Sequence, residues 1–111
     1  MRLYQAKGYV AAAAEARALR EVFGDGGLLV SSTKSMIGHT MAAAGTLEAV
    51  ATVLALGHEV VPPTARLENT DPDIPFDCVP RVAREVAVEH AISNSFGFGG
   101  QNVTLVFRRV A

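Results

Sequence analysis

The stretch EVVPPTARLENTDPDIP, residues 59–75, divides this chain more firmly than any other segment. Pro62, Pro63, Pro72 and Pro75 each fix φ and lack a backbone N–H, so the segment excludes a regular helix or central strand. It reads as extended chain and loop. The chain before it has helical signals. AAAAEARALREVFG (11–24) is built from strong helix formers, with Leu19, Val22 and Phe23 at i, i+3, i+4 spacing. Gly24, Gly26 and Gly27 predict its end. GTLEAVATVLALG (45–57) predicts a second helix with Leu47, Val50, Ala51 and Leu54 as its apolar face, stopped at Gly57. Between the two, LLVSS (28–32) has the length and composition of a buried strand.

The chain after the prolines alternates instead. REVAVEHAISNS (84–95) places Val86, Val88, His90 and Ile92 on one face, and QNVTLVFRRV (101–110) places Val103, Leu105 and Phe107 on one face. FGFGG (96–100) lies between them, so the pair predicts two antiparallel strands joined by a glycine turn. The order helix, strand, helix, loop, strand, strand predicts an α/β fold: a mixed sheet with packed helices.

Composition narrows the function classes. The chain has 111 residues, half of them apolar, and a formal net charge of −1, which suits one small globular domain. Near-neutrality removes any broad attraction for nucleic acid or anionic membranes, so neither is expected as a partner. No uninterrupted apolar run approaches the roughly 20 residues of a membrane helix, and MRLYQAKG (1–8) has no apolar signal-peptide core. Cys78 is the single cysteine, so no intrachain disulfide can form. These features predict a cytoplasmic protein. His58 and His90 are isolated, no Cys/His spacing suggests a metal, and no cofactor is expected.

Two segments carry candidate chemistry. In STKSMIGHTMAAAG (32–45), Lys34 and His39 follow a strand and precede a helix of small residues. Taken alone they read as a solvated lysine and a partly buried histidine. At a strand end, however, they stand where α/β proteins place their chemistry. A neutral histidine there can donate a hydrogen bond to a carbonyl gaining negative charge. Ala42, Ala43, Ala44 and Gly45 allow close backbone approach. In SNSFGFGGQN (93–102), Asn102 stands where a dinucleotide fingerprint needs its third glycine, so that motif is excluded. The segment reads as a hairpin turn, or as glycines that free the Phe98 backbone N–H to meet a ligand. Glu48 fits a partner for Lys34 and a plain surface glutamate equally. Cys78, in PFDCVP, has no helix start or glycine elbow to activate it and reads as structural.

VSSTKSMIGHTMAAAG, VLALGHEVVPPTARLENTDPDIPFD and AISNSFGFGGQNVTLVF, in that order and spacing, resemble the C-terminal part of the β-ketoacyl-acyl-carrier-protein synthases, above all the elongating enzymes of type II fatty-acid synthesis. The likeness runs from about residue 12 to 109. It implies that residues 1–111 are one partial domain, the C-terminal half of a thiolase-like fold, an acyltransferase of lipid metabolism. The family reaction is a decarboxylating Claisen condensation of an acyl thioester with a malonyl group on acyl carrier protein. The resemblance implies that His39 is the family's second catalytic histidine, Lys34 its active-site lysine and Glu48 that lysine's partner. Phe98 matches the loop residue that gates the pocket and donates an oxyanion N–H; Phe96, Gly97, Gly99 and Gly100 match the rest of that loop. Some members hold a monovalent cation near the positions of Glu48, Ser93 and Asn94. The implied partners are acyl carrier protein and a complementary ketosynthase half or a second copy.

The departures bear on activity. The family's nucleophilic cysteine belongs to the other half, and Cys78 does not match it. The family's first histidine motif corresponds to QAKG (5–8), with Lys7 in the histidine's place and a short deletion before residue 12. Ala42 stands where the elongating enzymes usually have glycine. The isolated chain is therefore expected to be inactive. Alternatives are a non-catalytic subunit beside a complete ketosynthase, or a fragment of a polyketide-type enzyme.

Overall fold

The structure is a computed structural model that describes residues 2–3 and 8–110, with side chains from residue 13 onward. Its elements are β1 (Arg2–Leu3), α1 (Gly8–Phe23), β2 (Val30–Ser31), α2 (Lys34–Ile37), a 3-10 turn (Met41–Ala43), α3 (Ala44–His58), β3 (Val60–Val61), β4 (Arg84–Glu85), β5 (His90–Phe96) and β6 (Asn102–Arg108). The expected C-terminal hairpin forms: β5 and β6 pair antiparallel from His90↔Arg108 to Phe96↔Asn102. β1 pairs parallel with both β2 and β5, which gives a mixed sheet in the order β2-β1-β5-β6. β3 and β4 form a separate antiparallel pair.

The sheet lies between two helices. One face of β5 presents Ala91 and Ser93, both buried, and packs against α3. There Ala55 and Leu56 of α3 meet Val61, Val79 and Ala91, with Phe107 of β6 at the margin. On the other face, Ala16 and Leu19 of α1 pack with Val30, Phe76 and Cys78. Removing these side chains from water drives the layering, since each fully buried Val, Leu or Phe contributes roughly 1.5–3 kcal/mol.

Three expected faces differ from the structure. In α3 the expected apolar face points outward: Leu47, Val50 and Leu54 are exposed, while Ala44, Glu48, Thr52, Ala55 and Leu56 are buried. Helical period identifies a stripe, but the sheet takes the side that allows close approach. In α1 only Leu19 of the expected trio is buried; Val22 and Phe23 lie in the exposed last turn. The run 84–95 is not one strand. Arg84–Glu85 pairs with β3, and Val86 and Val88 pack in the same core as Ala91, not in phase with His90. Alternation across a break between two sheets carries no register from one to the other.

The stretch Met41–His58 has the length and apolarity to cross a membrane by composition alone, among the described residues. In the structure it is the last turn of the loop and α3, and it carries a buried ion pair against the sheet.

Candidate active site

The site is built where β2 runs out. Ser31 and Ser32 are buried, and both are tied to the proline-rich segment. The Ser31 hydroxyl donates to the Pro62 carbonyl at 2.5 Å, and the Ser32 N–H donates to Thr64 Oγ1 at 3.1 Å. Ser35 Oγ donates to the Ser32 carbonyl at 2.6 Å and accepts from the Ala65 N–H at 2.8 Å. The segment 62–65, read from sequence only as loop, is thus the brace for the segment that carries Lys34. Its prolines suit the task, because their fixed φ lowers the cost of holding an irregular backbone still.

Lys34 opens α2, and the helix stops after one turn at Gly38, whose φ of 75° is costly for any residue with a Cβ. Lys34 Nζ forms an ion pair with Glu48 Oε1 of α3. The side chains are 15% and 3% exposed, so this is an interior pair, and Glu48 is no surface residue. Its loss would leave a charge in a low-dielectric setting, which makes breaking it costly even where forming it gains little.

His39 follows Gly38 and is exposed. It shares an open cleft of about 450 Å³ with Met41, Ala42, Ala44, Gly45, Ser95, Phe96 and Phe98. Gly45 permits the cleft floor to close: a Cβ there would lie 3.3 Å from Ser95 Oγ. Met41 adopts a left-handed φ of 51°, unusual for a long side chain and located beside His39. The hairpin loop supplies the far wall. The Gly97 N–H donates to the Gln101 carbonyl at 2.7 Å, and Gly99 and Gly100 take φ of 87° and 83°. Phe98 is 93% exposed at the loop's tip, and Phe96 is half-buried. An imidazole and a glycine-freed backbone, facing one apolar cleft, can polarise a bound carbonyl.

Other expected residues lie elsewhere. Cys78 is in the α1-side core, its thiol 3.7 Å from the Phe76 carbonyl, and burial pushes its pKa up. It is a thiol where a nucleophile needs a thiolate. Lys7 lies outside the described residues. Ser93 and Asn94 are both buried, but successive strand side chains point to opposite faces. The Asn94 amide donates to Glu15 Oε1 at 2.9 Å, and Asn94 Oδ1 accepts from Thr104 Oγ1 at 2.8 Å. The side chains of Glu48, Ser93 and Asn94 therefore do not gather into one cation-ligating set. Among the described residues, no group of three or more His, Cys, Asp and Glu could hold a metal. Glu15 is 7% exposed and joins α1 to the hairpin through Asn94, a role that sequence spacing did not signal.

Residues 9–68 match the family described as Beta-ketoacyl synthase, C-terminal domain. A 3-oxoacyl-[acyl-carrier-protein] synthase 2 from Coxiella burnetii is 54% identical over 98 residues, covering 86% of this chain and 24% of that protein. Among solved structures, the ishigamide ketosynthase/chain length factor superposes with a TM-score of 0.92 at 35% identity, over 99% of this chain and 28% of that one. A type II polyketide acyl-carrier protein in complex with its ketosynthase bound to the hexaketide, AntDE:AntF, includes a chain that matches with a TM-score of 0.82 at 34% identity, over 87% of this chain and 24% of that one. The chain spans about a quarter of the length of the curated relatives it matches.

Proposed function

The chain belongs to the beta-ketoacyl synthase C-terminal domain family, and we propose that it supplies one wall of a condensing site for carbon–carbon bond formation between thioesters. The observation that carries this reading is the shared cleft: His39 and the Phe98 loop face the same apolar space, with the Lys34–Glu48 pair at the base of α3. In the proposed reaction, a cysteine in the remainder of the enzyme carries the acyl group as a thioester. A malonyl thioester on acyl carrier protein loses carbon dioxide, and the electron pair of the broken C–C bond becomes an enolate. His39 donates a hydrogen bond to the malonyl thioester oxygen as that charge develops. The enolate carbon attacks the acyl carbonyl, the Phe98 N–H stabilises the oxyanion, and the cysteine thiolate leaves. Lys34 and Glu48 set the local field and hold the α2–α3 corner in place.

The carrier-protein partner is supported by AntDE:AntF, in which a carrier protein is bound to its ketosynthase. We place the reaction in the cytoplasm and read residues 1–111 as a partial domain, whose outward α3 face receives the remainder of the enzyme. The second reading, a non-catalytic subunit, is favoured by likeness to a protein described as ketosynthase/chain length factor.

The test is reconstitution. The purified chain, given acyl- and malonyl-carrier protein, is expected to form no product and to leave Cys78 unacylated by mass spectrometry. Combined with the remainder of a close relative, it is expected to release carbon dioxide and form the β-ketoacyl product. His39→Ala should then lower the rate by about 10²–10³-fold, the range for removing one such donor. Product from the chain alone overturns the reading, and so does full activity in the His39→Ala complex. An assembled complex that is inactive with both the unaltered chain and His39→Ala supports the non-catalytic subunit.

A further inference from the structure

Asp77 and Pro80 are close in sequence but pair with different neighbours. Asp77 bridges Leu29, at the entry to β2, and Pro80 bridges Thr64 of the proline-rich brace. Between them, Cys78 belongs to the α1-side core and Val79, fully buried, to the α3-side core. The segment is a strap that leaves β2 and joins the brace within one turn of chain.

The change of partner is made at Val79, whose φ is 46°. Two preferences oppose that conformation. A β-branched residue is an outlier at positive φ, and a residue before proline favours extended backbone. Such a conformation persists only where its surroundings impose it. Three contacts impose it here. The Val79 side chain packs in the α3-side core with Leu56 and Val61. Its carbonyl accepts from the Thr64 N–H at 2.9 Å. Its N–H donates to Asp77 Oδ1 at 2.9 Å, the side-chain turn that aspartate makes two residues on. The other carboxylate oxygen, Asp77 Oδ2, pairs with Arg84; these side chains are 36% and 44% exposed, and an ion pair so wetted contributes little.

From Val79 the hydrogen bonds run toward the candidate site. Thr64, held by the Val79 carbonyl, accepts from the Ser32 N–H through its Oγ1. The Ser32 carbonyl and the Ala65 N–H meet at Ser35 Oγ, so the bonded serines stand on either side of Lys34. Asp77 also grips β2 directly, its carbonyl accepting from the Val30 N–H at 2.8 Å.

We propose that Asp77 is a positioning residue for the Lys34 corner. Its Oδ1 holds Val79 left-handed, the strap so shaped fixes Thr64, and Thr64 fixes the end of β2 from which Lys34 reaches Glu48. The placement stands on the geometry of this chain; its effect on catalysis rests on the condensing reading above.

Three substitutions separate the two carboxylate oxygens. Asp77→Ala removes both. Arg84→Met removes the ion pair alone. Asp77→Asn keeps an oxygen for the Val79 N–H and loses the charge. Lys7 and Lys34 are the only lysines, so an amine-reactive label followed by peptide mass spectrometry reads Lys34 separately. In the purified chain, Asp77→Ala should speed Lys34 labelling and amide exchange at Ser32 and Thr64 by about ten-fold, the size of one lost hydrogen bond to a charged group. Exchange in the β5–β6 hairpin should stay unchanged. Asp77→Asn and Arg84→Met should match the unaltered chain. Acceleration that is absent, or spread equally over the hairpin, overturns the proposal. So does Arg84→Met acting as strongly as Asp77→Ala. Should Asp77→Ala not fold, the other two variants decide: faster Lys34 labelling in either one overturns the proposal, and unchanged labelling in both supports it. Reconstituted with the remainder of a close relative, Asp77→Ala should lower the condensation rate about ten-fold and Asp77→Asn should restore it. A complex of the unaltered chain without activity would sink the condensing reading and leave the labelling result standing. An active complex indifferent to Asp77→Ala would overturn the positioning role.

Discussion

The two sides of α3 carry opposite chemistry, and the arrangement reverses what hydrophobic periodicity alone suggests. The side against the sheet carries Ala44, Glu48, Thr52 and Ala55, small or polar and all buried, with Leu56 the one large aliphatic residue buried at its C-terminal end. The side away from the sheet carries Val50, Val53 and Leu54, each more than half exposed. The inner side is small because β5 comes close: Gly45 has no room for a Cβ without displacing Ser95 Oγ. It tolerates polar groups because each has a fixed partner, Lys34 for Glu48 and the Glu48 carbonyl for the Thr52 hydroxyl at 2.7 Å. A helix with one satisfied polar face and one bare apolar face is built to be covered on both sides. The proposal above assigns the covering layer on the outer side to the rest of the enzyme.

The largest expected effect tests the inner side. Glu48→Leu leaves the Lys34 ammonium without its carboxylate in a site only 15% exposed. Breaking such a pair costs about 3–5 kcal/mol, and urea unfolding should show that loss as a lower midpoint. The double variant Lys34→Met, Glu48→Leu should recover most of it, since replacing both charges with apolar groups removes the desolvation cost as well. A single variant as stable as the unaltered chain would mean that the inner side is open to water and the contrast between faces is false.

How much of this could be read beforehand differs between fold and site. The helix 45–57, the strand around residue 30 and the C-terminal hairpin were legible because propensity, periodicity and glycine punctuation agree there. The direction in which α3 faces was not. Leu47, Val50 and Leu54 make the stronger stripe, and nothing local reveals that the sheet takes the small side and leaves the large one exposed. His39 and the Phe98 loop were legible through their motifs, and the structure places both on one cleft. The brace bonds Ser32–Thr64 and Ser35–Ala65 and the Glu15–Asn94 bond join residues separated by 32, 30 and 79 positions, which no local pattern encodes. The break between β4 and β5 was hidden because alternation continues through it.

Adjacent residues sharpen the comparison at intermediate size. Thr52 is fully buried and Val53 is 52% exposed, one position apart on opposite sides of the helix. Thr52→Ala removes a hydroxyl bonded to the Glu48 carbonyl and leaves a small void, so about 1–2 kcal/mol should be lost. Val53→Thr replaces one methyl with a hydroxyl at a half-exposed site and should change stability by about 0.5 kcal/mol or less. Thermal unfolding of the two variants side by side reads the difference directly. Equal losses would show that both sides of α3 are packed in the isolated chain.

An equally small effect on stability is expected from Val53→Asp, which is the most informative about the outer face. A carboxylate at a buried site would cost several kcal/mol, because an unpaired charge would lose its water. At a site already half in water it keeps its hydration, so the unfolding midpoint should move by no more than about 0.5 kcal/mol equivalent. The charge does alter what can bind there. Thr46, Ala49, Val50, Val53 and Leu54 line one shallow apolar groove, and a dye that reports exposed apolar surface should bind it in the unaltered chain. Val53→Asp should remove most of that fluorescence and weaken reconstitution with the remainder of the enzyme, since the aspartate would then be buried without a partner. A loss near 3 kcal/mol in the isolated chain, or unaltered dye binding and reconstitution, would show that the outer side is not a surface waiting for a second layer.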